Sequence, residues 1–155
     1  MLGEILYTIL SNTTSITNLV DYRIFPLSAP QGKQRPFIVY QQISQNHNKH
    51  KDRTRDKYTV RVQIDIIADT FEAATEVADA LADTLSYYSG TVGAYEVEII
   101  TFEDENDLSD IEDDVYRKEQ DYILKIKPKY YDTKKRNTIF NNREKSNTNK
   151  RLEKS

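Results

Sequence analysis

The 155-residue chain contains no cysteine. That removes a disulfide framework, a thiolate metal site and a cysteine nucleophile from consideration, and it fits a reducing compartment. Glycine is scarce, with four in all and none in a phosphate-cradling or dinucleotide-binding pattern, and no nucleophile elbow occurs. The two histidines, His47 and His50, sit in a charged stretch whose Asn and Lys neighbours suit neither a chelating helix nor a bound cation. The acidic groups Asp104/Asp107 and Glu112/Asp113/Asp114 lack the sharp-turn glycine and closing glutamate of an EF-hand loop. No apolar run approaches the ~20 residues that span a bilayer. The first ten residues, MLGEILYTIL, carry an acid and no base, unlike a secretion signal. On residue types, the chain is expected to have no catalytic residues, no metal, no cofactor and no membrane partner.

What is present is organised around residues 58–90. Tyr58, Val60, Val62, Ile64 and Ile66 alternate with Thr59, Arg61, Gln63 and Asp65, which predicts a strand with one apolar face over 58–68. Over 69–90, Phe71, Ala74, Ala78, Leu81, Leu85 and Tyr88 recur at steps of three and four, as on one side of a helix. Glu72, Glu76, Asp79 and Asp83 form a second, wet stripe. Asp69 is expected to cap this helix, with Glu72 completing a capping box and Gly90 supplying a left-handed stop. A greasy strand feeding a greasy helix predicts helix on sheet.

The remaining elements follow in order. Leu2, Ile5, Leu6, Ile9 and Leu10 share a helical face, and a second short turn covers 15–20. Pro26, Pro30, Gly32 and Pro36 impose an extended crossing loop. Strands are expected over 37–45, 95–102 and 115–127, the last ended by Pro128. Residues 46–57 form a polar hairpin tip, and 103–114 an acidic connector. The fold class expected is therefore α+β: a two-layer sandwich in which a mostly antiparallel four-stranded sheet is packed by two helices. It has a long β-hairpin tip and a disordered C-terminal tail.

Charge divides the same way. Residues 129–155 hold nine Lys/Arg and three Asp/Glu, a balance of +6, which leaves the remainder at −9. The expected organisation is a domain over 1–128 and a basic extension over 129–155, too poor in apolar residues to fold alone. The basic tip residues Lys49, Lys51, Arg53, Arg55 and Lys57 suit contact with phosphate or with an acidic surface. The acidic stripe Glu72, Glu76, Asp79 and Asp83 has the opposite sign, so tip and stripe are candidates to meet between subunits.

The order of these motifs resembles the tail completion proteins of long-tailed bacteriophages, also called tail terminators or tail-to-head joining proteins. The resemblance rests on Arg23-Ile24-Phe25-Pro26, Pro30, Pro36-Phe37-Ile38-Val39-Tyr40, Gln63-Ile64-Asp65-Ile66 and the strand before Pro128, and it covers roughly residues 1–128. It implies a structural virion protein, made in the host cytoplasm and located at the tail–neck junction. Such proteins form a ring, commonly a homo-hexamer, that caps the tail tube and joins it to the head-completion or neck protein. DNA passes through the lumen without sequence-specific binding. Two alternatives stay open at this level: another head–tail connector or neck protein, and a small nucleic-acid-binding α+β domain using the basic tip and tail.

Overall fold

A computed structural model describes residues 1–49, 51, 56–110 and 114–129. The chain opens with helix α1 (Leu2–Ser11) and helix α2 (Thr14–Val20). Strands β1 (Ile24–Pro26), β2 (Phe37–Asn48) and β3 (Lys57–Ala68) follow, then helix α3 (Phe71–Leu85). Strands β4 (Gly90–Val92), β5 (Tyr95–Asp110) and β6 (Val115–Pro128) complete the described elements. The strands form one sheet in the order β1-β2-β3-β6-β5-β4.

This corrects the four-stranded, two-helix sandwich expected from the sequence. Among the described residues the sheet has six strands and curls towards a half-barrel, three helices accompany it, and it is mixed because β1 runs parallel to β2. The two extra strands are three-residue pieces, too short to show a periodicity, and one of them ends at Pro26. The acidic stretch read as a connector extends β5 as far as Asp110. The basic tip is shorter than expected, since the β2–β3 ladder continues to Asn48 opposite Lys57. Residues 130–155, on which the expected disordered tail falls, lie outside the described residues.

The period-two reading of β3 holds: Val60, Val62, Ile64 and Ile66 are fully buried. They meet Leu124 and Ile126 of β6 and the apolar sides of the helices in a single core. At roughly 1.5–3 kcal/mol for each large apolar side chain removed from water, this face is the main source of stability. α1 joins it through Ile5, Leu6 and Leu10, and α2 through Ile16 and Val20. α3 contributes Ala74, Val77, Ala78, Leu81 and Leu85.

Two details of α3 differ from expectation. The cap is Thr70, whose side chain accepts from the Ala73 N–H at 3.1 Å, and Asp69 instead pairs with Arg35 at 2.7 Å. Both residue types cap helices, so the choice falls to tertiary contacts. The helix ends before Gly90. Tyr87 adopts φ 61°, its N–H bonds the Ile100 carbonyl at 2.8 Å, and Gly90 opens β4.

Candidate functional site

Strand directions place the two long hairpins at opposite ends of the sheet. β3 pairs with β6 so that Tyr58 faces Ile126 and Ala68 faces Tyr116. The β2–β3 turn therefore leaves from one end, and the β5–β6 turn from the other. The first end is basic. Lys49, Lys51 and Lys57 are exposed, and Lys57 reaches Glu98 at 2.9 Å. Its hydrogen bond is the main reason the Glu98 carboxyl titrates below its ordinary value. Arg53 and Arg55 lie outside the described residues, as does His50. His47 stacks on the Tyr58 ring, with centroids 4.4 Å apart, and its Nε2 sits 3.3 Å from Asp56.

The opposite end is acidic and carries a network absent from the sequence reading. Lys118, nearly buried, bonds Asp107 at 2.6 Å and lies 3.6 Å from Glu105. The Asp107 hydrogen bond raises its pKa above the ordinary lysine value. Its ammonium also sits over the Phe71 ring, 4.9 Å from the centroid. Fully buried Gln120 donates to the Ala78 carbonyl (3.0 Å) and to Glu105 Oε2 (2.6 Å), and accepts from the Tyr122 hydroxyl (2.7 Å). Beside this network, Phe71, Leu108 and Tyr116 remain exposed around a depression of about 220 Å³. The signal for it in the sequence is Lys118 and Gln120 falling in the core register of β6, between Tyr116 and Tyr122.

The acidic stripe is where it was expected: Glu72, Glu76, Asp79 and Asp83 are all exposed on α3. Among the described residues, no hydrogen bond or ion pair joins them to Lys49, Lys51 or Lys57. Among the described residues of one chain, the stripe and the tip lysines are not brought together.

The sheet face away from the helices is partly exposed and laced with ion pairs. Arg61 meets Asp121 at 3.2 Å, Arg117 meets Asp65 at 2.7 Å, and Lys127 meets Glu96 at 3.4 Å. Glu119 lies among them, and burial, then its neighbours Asp65 and Asp121, push its carboxyl above the ordinary value. Among the described residues no three His, Cys, Asp or Glu side chains are grouped to hold a metal, and no helix is long and apolar enough to cross a membrane.

Three comparisons bear on what such a body is for. Residues 4–127 match the family model described as "Tail completion protein gp17". No curated protein matches. Among solved structures, a chain from the "Virion of native gene transfer agent (GTA) particle" is similar in fold, with a TM-score of 0.61 at 16% identity over 78% of this chain and 90% of that one.

Proposed function

The chain belongs to the Tail completion protein gp17 family, and on that premise we propose that this structural protein of a phage tail assembles into a ring, commonly a hexamer. The ring caps the tail tube and joins it to the neck or head-completion protein. The observation that carries the reading is the extent of the family match, which runs from within α1 to the penultimate residue of β6 and so spans nearly the whole described body.

The architecture supports it. A heterologous ring needs two different complementary patches on each subunit. This subunit has a basic end and an acidic end, a helical layer on one sheet face, and a second sheet face that no described helix covers. The basic tip, Lys49, Lys51, Arg53, Arg55 and Lys57, meets the acidic stripe Glu72, Glu76, Asp79 and Asp83 across subunits in this proposal. DNA passing through the lumen is not read in sequence, because none of the described elements offers a recognition helix to a groove.

Light scattering and negative-stain imaging of the full chain test the reading. A discrete ring is expected, one that loses closure when Arg53→Glu and Arg55→Glu are combined. Unchanged assembly and tube binding in that variant would remove the tip from both contacts. A monomer at all concentrations that binds duplex DNA in a strongly salt-dependent way would favour a nucleic-acid-binding domain instead.

A further inference from the structure

Both outer edges of the sheet are only partly covered. β1 pairs with β2 at Ile38–Tyr40, and the Leu27 N–H takes the Tyr40 carbonyl at 2.9 Å. Among the described residues, no strand pairs with the outer edge of β2 from Gln41 to Asn48. On the other side, β4 covers β5 at Tyr95–Val97, and Tyr87 and Tyr88 bond Ile100 at 2.8 and 3.0 Å. From Thr101 onward that edge too has no partner strand among the described residues. An uncovered strand presents a row of unpaired backbone groups, and natural proteins blunt it with lysine, proline or bulges. β2 carries one register shift between Gln42 and Ser44 and no lysine or proline from Gln41 to Asn48. It reads as an edge kept open for a partner.

We infer that the free edge of β2 pairs with the free edge of β5 from a second copy of this chain. The pairing is antiparallel and head-to-tail, with Gln41 opposite Leu108 and Asn48 opposite Thr101. The inference rests on the ring proposed above and names the joint that closes it.

Strand direction, register and charge agree. β2 and β5 run in opposite directions within the sheet, so copies placed side by side bring them together antiparallel. The free stretch of β2 has its irregularity between Gln42 and Ser44, and that of β5 has one between Phe102 and Asp104. With Ile43 and Glu103 as the bulged residues, Ser44 faces Asn106, Gln45 faces Glu105 and Asn46 faces Asp104. Every such pair then shares one side of the sheet, as the pleat requires. Ser44, Asn46, Asp104 and Asn106 lie on the open face, while Gln42, Gln45, Glu105 and Asp107 lie on the helix side. Amide donors thus stand opposite carboxylates at Gln42/Asp107, Gln45/Glu105 and Asn46/Asp104. His47 comes opposite Phe102, which is exposed in the single chain.

The same charges oppose the symmetric alternative. Residues 101–108 hold four acids and no base, so two β5 edges repel each other, whereas residues 41–48 hold no acid. At the end of the joint, Leu27 projects from the close of β1 at 74% exposure, held at φ 64°. It comes beside Leu108 and the depression that Leu108 shares with Phe71 and Tyr116. The two free edges lie towards opposite ends of the sheet, and tilting the strands against the ring axis absorbs that offset, as in any closed barrel.

The cysteine-free chain permits a direct test. Ser44→Cys and Asn106→Cys are made singly and together, and assembly size is measured before mild oxidation and treatment with a short thiol-to-thiol cross-linker. The double variant is expected to give a ladder of multimers on a non-reducing gel. Each single variant alone stays at subunit mass, and a mixture of the two singles stops at dimers. A double variant that assembles normally but does not cross-link overturns this joint and leaves the ring standing. So does efficient self-linking of either single variant. Absence of any assembly in the unmodified chain overturns the ring and the joint together.

Discussion

Gln120 is fully buried, and both ends of its amide are occupied: the nitrogen by the Ala78 carbonyl and Glu105, the oxygen by the Tyr122 hydroxyl. Burial first, and the Glu105 charge second, push the Tyr122 hydroxyl far above its ordinary pKa, so it remains a neutral donor to Gln120. A buried polar group stripped of its partner costs its full desolvation, which exceeds the net worth of the bond. Gln120→Ala should therefore lower stability by about 2–3 kcal/mol, through a small cavity and an orphaned hydroxyl. Urea unfolding of Gln120→Ala, Tyr122→Phe and the double variant checks this; additive losses would mean the two groups do not depend on each other. At this scale the sequence was readable where side chains are apolar. Lys118 and Gln120 look like surface residues in one dimension. Their burial follows from facing Asp107 and Glu105 across the β5–β6 ladder, a pairing between residues up to 15 positions apart.

At the scale of elements, α3 is the best test of packing. Its stripe was legible because Ala74, Ala78, Leu81 and Leu85 recur at helical spacing, and all four are fully buried. Phe71, assigned to the same stripe, is half exposed because it begins the helix beyond the edge of the core, under Lys118. Leu81→Asp should cost at least ~3 kcal/mol, since it buries a charge with no counterion. Far-ultraviolet circular dichroism and solubility report the outcome, and a soluble, folded variant would contradict the core position of Leu81. β3 was legible for the parallel reason of strict alternation. The outer half of β5 was not, because Glu103, Asp104, Glu105 and Asp107 are poor strand formers with no alternation to reveal them. Their strand is imposed by the ladder with β6. Of the candidate contact residues, the exposure of the acidic stripe and of Lys49, Lys51 and Lys57 was foreseen, while the free edges of β2 and β5 depend on strand order.

For the molecule as a whole, the pairs on the open sheet face make stability depend on pH in two opposed ways. Glu98 is held below the ordinary carboxyl value, chiefly by the Lys57 hydrogen bond. Its contribution is present above pH 4.5 and is lost as pH falls through its folded value. Glu119 is shifted upward, so its contribution favours the fold below pH 4.5 and disappears as pH rises through its folded value. Glu119→Gln should accordingly stabilise the protein at neutral pH, by no more than about 0.5 kcal/mol because solvent screens a half-buried site. Below pH 4.5 the difference from the parent should vanish, which thermal melts at pH 7 and pH 3.5 can establish.

The 16-residue length of β5 has a consequence for how this protein behaves on a sieving column. That much extended chain covers about 50 Å, whereas a rounded body of this size has a radius of gyration near 15 Å. A lone subunit built on a strand of that length is longer than a sphere of 18.1 kDa is wide, and it drags more water. It will elute ahead of a compact protein of the same mass, and elution volume is a poor ruler for counting subunits in anything it builds.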